Sequence, residues 1–299
     1  MKYAVIDIGS NTVRLCIYEL KKDKLTLVLN RRVMALLGSK VVDGALSREG
    51  ITAACDALLS LKKFIKESKV QKTFVFATAA LRNISNTEEA VAEIQEKTGL
   101  IIDVLSGEDE ANLTFAGVAR EQDIYDGVIA DIGGGSTELI LVKEGRPVQT
   151  VSLPIGSLVA FVRFVGKRPA TKEQIMAIRQ YVRDLIQKSF MQKQSAEVLF
   201  GIGGAARTAY ELEKILYPAS GGAMNTLETL LDRLLGDEAL AEASILQASP
   251  ERLDTALPGV AILCEVAAFF GCKHLDVCRA GVREGYINKQ LGLVGKEGA

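Results

Sequence analysis

Short apolar runs alternate with longer amphipathic stretches along the chain, which predicts strands alternating with helices. In the first part we predict strands at 3–8, 13–20, 25–35, 73–77 and 101–105, and helices at 48–66, at 87–97 and from 108. From residue 127 the pattern restarts, with predicted strands at 127–131, 137–143, 147–152, 197–202 and 274–278. The helices of this part are expected at 157–165, 171–189, 226–247, 258–270 and 281–291, with a loop at 216–225. The chain therefore reads as two α/β lobes.

Two turns of nearly the same sequence separate strand-like runs in the two lobes. They read DIGSNT from Asp7 to Thr12 and DIGGGST from Asp131 to Thr137. Glycine lets the backbone approach a ligand closely, and successive N–H groups in such a turn form an anion site. The candidate phosphate-binding residues are Ser10, Asn11, Thr12, Gly133, Gly134, Gly135 and Ser136. Ordinary hairpins are the alternative, but the repeat favours two related lobes that grip one phosphate ligand from opposite sides.

A third glycine turn, Gly203-Gly204, follows the predicted strand 197–202 and begins a helix. The N-terminus of a helix binds anions well, so these glycines are candidates for a further phosphate or nucleotide contact. Close packing of the helix on its strand explains the same glycines equally well. Both readings stay open on the sequence.

Phosphate hydrolysis needs a cation, a cationic side chain and a group that orients water. Asp7, Asp131 and Glu138 flank the two turns and are the candidate ligands for Mg²⁺ or Mn²⁺. Arg82 follows the predicted central strand, where it either reaches the ligand or is solvated. The acidic run from Glu108 to Glu110 is ordinarily a pattern of helix starts.

Composition narrows the class of protein. A net charge of −1 and a pI near 6.1 argue against nucleic-acid and anionic-membrane binding. The five cysteines show no paired spacing, and we interpret them as reduced packing residues. His274 is the single histidine, which excludes a metal site built from several histidines. We therefore expect carboxylates to carry out any acid–base chemistry. We see no secretory leader and expect a cytoplasmic protein; a homodimer is left open.

Eight short blocks, taken in order, resemble the exopolyphosphatase and guanosine pentaphosphate phosphohydrolase family of the actin-like superfamily. The blocks are Asp7–Thr12, Ala77–Arg82, Ser106–Ala111, Asp131–Leu139, Ser152–Gly156, Gly201–Gly204, Pro258–Leu263 and Gly281–Gly285. The resemblance implies an α/β fold of two actin-like (ribonuclease-H-like) lobes with a phosphate-binding cleft between them. On this resemblance we expect an N-terminal domain at 1–120 and a C-terminal domain at 121–299. The last helix of the C-terminal domain is a candidate for packing against the first lobe.

The resemblance also implies a metal-dependent hydrolase that releases terminal orthophosphate. Glu110 matches the catalytic base of the family, and Asp131 and Glu138 match metal-associated carboxylates. Its phosphate contacts match Ser10, Asn11, Arg82, Gly133, Gly134 and Ser136.

Substrate choice is less defined, because Leu36, Ala205 and Arg279 depart from the usual residues of the family. Long exopolyphosphatases carry further C-terminal helical domains, whereas this chain ends soon after Asn288. We therefore expect short-chain polyphosphate as substrate, with guanosine pentaphosphate as a second one. Two alternatives stay open: a guanosine tetra- or pentaphosphate sensor without turnover, and an actin-fold kinase that needs an acceptor.

Overall fold

The structure is a computed structural model and describes residues 1–22, 24–190, 194–218 and 224–293. It contains two compact units. The first unit consists of Met1–Glu110 and the segment that starts at Tyr286, and the second consists of Ala111–Gly285. The chain thus passes from one unit to the other within a helix on both occasions. Each unit has its own buried apolar core.

The first unit is built on a five-stranded sheet with helices packed against it. Its strands are β1 (Lys2–Ile8), β2 (Thr12–Lys21), β3 (Lys24–Met34), β4 (Val41–Val42), β5 (Ala45–Leu46), β6 (Lys72–Ala77) and β7 (Asp103–Val104). Its helices are α1 (Arg48–Glu67), α2 (Ala79–Arg82), α3 (Thr87–Thr98) and the first turn of α4 (Gly107–Ala119). The sheet order is β3-β2-β1-β6-β7, and β4 and β5 form a separate two-stranded ribbon.

The second unit repeats this plan with more helices. Its strands are β8 (Gly127–Ile132), β9 (Thr137–Lys143), β10 (Arg146–Leu153), β11 (Val198–Ile202) and β12 (His274–Val277). Its helices are α5 (Ser157–Ala160), α6 (Lys172–Ser189), α7 (Gly203–Leu216), α8 (Met224–Gly236), α9 (Glu238–Ala248) and α10 (Ala256–Phe270). The last helix, α11 (Val282–Gln290), begins in this unit and ends in the first. The sheet order is β10-β9-β8-β11-β12.

The two sheets share one topology. In each sheet, the first three strands of the unit form an antiparallel meander. A later strand pairs in parallel with the first strand, and the last strand of the sheet pairs in parallel with that later strand. Even an irregularity recurs: the third strand carries a bulge at Val28 in the first unit and at Val148 in the second. The predicted α/β class with two related lobes is therefore confirmed.

Local sequence signals explain most element boundaries. Ser47 caps α1, since its Oγ accepts the N–H of Gly50 at 3.1 Å. The predicted helix at 226–247 is wrong as a single helix, because it breaks between α8 and α9. Asp237 at the break accepts the N–H of Leu240 at 3.0 Å and so starts a new helix.

The predicted helix at 157–165 is α-helical only over α5 and continues as a π-helix over Phe161–Val165. The predicted loop at 216–225 overlaps the ends of α7 and α8, and its residues 219–223 lie outside the described part of the chain. Among the described residues, no helix is both long and apolar enough to span a membrane.

Candidate functional site

In both units most predicted site residues follow the carboxyl ends of parallel strands, where ligands of open α/β sheets bind, and Thr12 and Glu138 lie at the starts of the antiparallel strands β2 and β9. In the first unit, β1 leads into Asp7 and its turn, β6 into Arg82, and β7 into Ser106 at the start of α4. In the second unit, β8 leads into the Asp131 turn, β11 into Gly203-Gly204, and β12 into the loop before α11.

The backbone of the first turn is held from its carbonyl side. The N–H of Gly9 donates to the carbonyl of Thr12 at 3.0 Å and closes the turn. The carbonyl of Asn11 accepts the N–H groups of Ala35 and Leu36, and that of Ser10 accepts the N–H of Gly38 at 2.8 Å. The segment after β3 thus occupies the carbonyl groups, so the turn can offer its amide edge to an anion.

The second turn is held in the same way. Gly133 N–H donates to the carbonyl of Ser136 at 3.0 Å, as in the first turn. The carbonyl of Gly133 accepts the N–H of Ser157 at 2.9 Å, and that of Gly134 accepts the two following N–H groups of α5 at 3.0 Å. Gly156 makes this contact feasible, because a Cβ there would lie 2.6 Å from the carbonyl oxygen of Gly133. Both turns therefore have the backbone arrangement of an anion site.

Side chains of the turns are buried although they are polar. Ser10, Asn11 and Ser136 are each less than one-tenth exposed, and the Oδ1 atom of Asn11 is buried without a hydrogen-bond partner. A buried amide end without a partner is costly. Rotation of the amide would present its NH₂ group instead, a donor suited to a phosphate oxygen. This orphaned group fits a ligand at the first turn.

Asp131 and Glu138 are direct cross-strand neighbours in the β8–β9 ladder. Opposite residues of an antiparallel pair project from the same face, with Cβ atoms about 4.5–5.5 Å apart. Glu138 is almost fully buried, and its Oε1 accepts the hydroxyl of Ser152 at 2.9 Å. The structure therefore brings these two predicted metal ligands together.

Asp7 has a different neighbour. Its cross-strand partner in the β1–β2 ladder is Arg14, which is buried. Arg14 stands 124 residues before Glu138, the same offset that relates Asp7 to Asp131, so it is the counterpart of Glu138 in the repeat. A guanidinium opposite Asp7 weakens the case for this carboxylate as a cation ligand and suits a phosphate instead. The sequence analysis did not single out Arg14, although alignment of the two repeats would have shown it.

The Asp131–Glu138 pair fits a hard cation that is only partly held by protein. Mg²⁺ usually takes one or two carboxylates together with substrate phosphates and water. Across the described residues there is no group of three or more His, Cys, Asp and Glu side chains able to enclose a metal. Asp131 and Glu138 could therefore hold Mg²⁺ or Mn²⁺ jointly with a bound phosphate, and would not form a complete protein cage.

Two glycines let the backbone pass close to Asp131. A Cβ on Gly203, which has a φ of +84°, would lie 2.8 Å from its Oδ1, and a Cβ on Gly281 would lie 3.8 Å from its Oδ2. Gly204 leaves room for another group, since a Cβ there would lie 1.7 Å from the guanidinium of Arg252. The start of α7 therefore lies close to the carboxylate of Asp131 and to the guanidinium of Arg252. The sequence analysis did not single out Arg252.

The acidic run at the start of α4 contains residues with different environments. Asp109 supports the helix cap: its N–H donates to Ser106 Oγ at 3.0 Å, and its Oδ2 accepts that hydroxyl at 2.7 Å. Glu110 is buried, and its Oε2 accepts Arg82 Nη1 at 2.7 Å. Arg82 Nη1 also donates to the carbonyl of Leu105 at 3.0 Å. The structure thus brings the predicted base and the predicted cationic clamp together in the first unit.

A buried cysteine, Cys278, lies near Asp131 in the second unit. Cys278 follows β12 and is buried, and burial raises the pKa of its thiol to about 12, with nearby carboxylates that include Asp131 adding to the shift. A thiol with such a pKa is protonated at neutral pH and is a poor nucleophile. Burial and these carboxylates therefore both favour the protonated thiol of Cys278.

Comparison with known proteins defines the family. The model of the Ppx/GppA phosphatase family matches residues 16–293, nearly the whole chain. The chain belongs to this family. The predicted membership and the predicted enzyme class, a phosphoanhydride hydrolase, are thereby confirmed.

Solved structures agree with the family assignment. A Ppx/GppA family member from Aquifex aeolicus is 28% identical with a TM-score of 0.78, and the match covers 97% of each chain. An exopolyphosphatase from Cytophaga hutchinsonii is 22% identical with a TM-score of 0.85, over 98% of this chain and 99% of that one, and supports the fold alone. The predicted actin-like fold of the Ppx/GppA family is confirmed.

The predicted site residues fall into two sets. The first unit contains Asp7, Ser10, Asn11, Thr12, Arg82 and Glu110, and the second contains Asp131, Gly133, Gly134, Gly135, Ser136, Glu138, Gly203 and Gly204. Within the units the structure pairs Arg82 with Glu110 and Asp131 with Glu138, and it adds Arg14 and Arg252. The role of each residue stays a prediction.

Proposed function

We propose that this Ppx/GppA family member is a metal-dependent hydrolase that releases terminal orthophosphate from short-chain polyphosphate, with guanosine pentaphosphate as a second substrate. The observation that carries the proposal is the second turn, whose carbonyls are occupied by α5 and which lies beside the Asp131–Glu138 pair. The backbone N–H groups of this turn, together with a cation held jointly by the carboxylate pair and the substrate, would balance the negative charge of a phosphoanhydride. The first turn, with Arg14, fits phosphate oxygens without a metal.

In the proposed reaction, a water molecule attacks the terminal phosphorus. The new bond joins the water oxygen to phosphorus, and the bond from phosphorus to the bridging oxygen breaks. Glu110 takes the proton of the water, and the products are orthophosphate and a chain one unit shorter. When bound, Mg²⁺ or Mn²⁺ neutralises charge that develops on the phosphate oxygens.

Arg82 is proposed to orient the base. Its Nη1 contacts both Glu110 Oε2 and the carbonyl of Leu105, which fixes the carboxylate relative to the end of β7. Guanidinium has five N–H donors in a rigid fork, so the same side chain can also contact a phosphate oxygen. This arrangement supports the phosphate contact predicted for Arg82 as well as the orienting role proposed here.

The direct test is phosphate release from tripolyphosphate and from guanosine pentaphosphate, each with and without Mg²⁺ and without any acceptor. We expect release that depends on the divalent ion. ADP formation from ATP only in the presence of an acceptor would favour a kinase. Saturable binding of guanosine pentaphosphate without release would favour a sensor.

Chain length provides a separate prediction. The affinity of a protein for a polyanion rises with the number of basic contacts, and this protein has a net charge of −1. We therefore expect kcat/KM per chain to be no higher for polyphosphate of hundreds of units than for tripolyphosphate. Phosphate release over a series of defined lengths at constant salt measures this. A kcat/KM that climbs steeply with length would contradict the short-chain preference.

A further inference from the structure

Helix α4 carries Glu110 in its first turn and contacts α11 further along. Leu113 and Gly117 follow Glu110 by three and seven residues, so all three lie on one face of the helix. Gly281 and Gly285, four residues apart, lie at the start of α11, where Gly285 N–H donates to the Gly281 carbonyl at 3.0 Å. The face of α4 that carries the proposed base is therefore also the face that meets α11.

The two helices meet backbone to backbone. A Cβ on Gly117 would lie 2.1 Å from the carbonyl oxygen of Gly281, and a Cβ on Gly285 would lie 1.8 Å from the carbonyl oxygen of Leu113. Real Cβ atoms essentially never come within 3.0 Å of another heavy atom of this kind. Even one methyl group at either glycine would push the helices apart by about 1 Å.

Beyond Gly285, helix α11 is held by contacts within the first unit. Tyr286, the residue after Gly285, packs on Phe76 with ring centroids 4.7 Å apart, and its hydroxyl donates to Asp103 at 3.2 Å. Phe76 lies on β6, which leads to Arg82, and Asp103 lies on β7, which leads to the cap of α4. Helix α11 therefore contacts both strands that deliver the Arg82–Glu110 pair, and the glycines fix its distance from α4.

From these contacts we infer that Gly117 and Gly285 are positioning residues that set the location of the Glu110 carboxylate. The inference rests on the proposed role of Glu110 as the base. A displacement of about 1 Å away from the chemistry can cost on the order of 10²-fold in rate. The contact of Gly285 with Leu113 involves no residue of either binding turn, so Gly285→Ala should change substrate affinity little. The Gly281 carbonyl that faces Gly117, in contrast, belongs to a residue close to Asp131.

The test uses Gly117→Ala and Gly285→Ala, with Gly236→Ala as the matched control. Gly236 ends α8, and a Cβ there meets no atom within 4 Å. With tripolyphosphate and Mg²⁺, we expect kcat to fall by roughly 10–100-fold in the two test variants, with KM within about threefold of wild type in Gly285→Ala. The control should keep the wild-type kcat. Circular dichroism melts establish that each variant is folded at the assay temperature.

A second measurement separates positioning from general damage. In a Glu110→Gln background the base is already gone, so adding Gly285→Ala should lower kcat by less than about twofold. Full additivity of the two losses, an unchanged kcat in folded Gly117→Ala and Gly285→Ala, or unfolding of both variants would each overturn the inference. If Glu110→Gln alone keeps the wild-type kcat, it is instead the proposed function that fails.

Discussion

We expect Glu110→Gln to release phosphate from tripolyphosphate on the order of 10²–10⁴-fold more slowly than the wild-type protein, while still binding the substrate. Glutamine has nearly the shape of glutamate and can keep a contact with Arg82, but it cannot accept a proton from water. The loss should therefore appear in the chemical step. Single-turnover phosphate release measures that step, and calorimetric titration of the variant with tripolyphosphate measures binding.

The control for this variant is Glu108→Gln in the same helix turn. Glu108 makes the same type of contribution to the helix dipole but does not share the buried position of Glu110. We expect its rate to stay close to wild type. If both variants lost phosphate-release rate equally, the rate would depend on acidic charge at the start of α4 and not on Glu110 as a specific proton acceptor.

The second large effect is expected for Asp131→Asn. This change removes one of the two charges of the Asp131–Glu138 pair while keeping the size of the side chain. We expect the rate at saturating substrate to fall on the order of 10²-fold and the Mg²⁺ concentration for half-maximal rate to rise, since carboxylates bind this ion far better than amides. The measurement is phosphate release as a function of Mg²⁺ concentration.

Asp123→Asn is the matched control, because Asp123 is exposed on the segment before β8. It should leave the Mg²⁺ dependence unchanged. If Asp131→Asn loses rate with an unaltered Mg²⁺ midpoint, Asp131 acts through the turn geometry and the metal assignment is wrong.

The sequence was most informative where a local pattern determines the structure. The apolar runs before Asp7 and Asp131 are strands, and the glycine turns after them adopt the same closure, since these features depend on neighbours along the chain. The break at Asp237 was missed because apolar spacing continues across it, and the break depends on one side chain that caps the second helix.

Contacts between distant segments could not be predicted in this way. Arg252 lies 48 positions after Gly204, and only the folded chain brings its guanidinium over that glycine. The glycines at the start of α11 belong to a block that resembles the family, but no local pattern indicated that α4 packs against their backbone. The pairing of Arg82 with Glu110 similarly joins residues that follow two different strands.

Arg14 and Glu138 occupy equivalent positions in the two hairpins, so the two copies carry opposite charges at this position. A protein with two copies of the second hairpin would place four carboxylates at its turns and would repel a polyanion. A protein with two copies of the first would balance each aspartate with an arginine and would have no charge left to attract a divalent ion. Descent of both hairpins from one ancestral hairpin would thus have required a change in the sign of the charge at this single position.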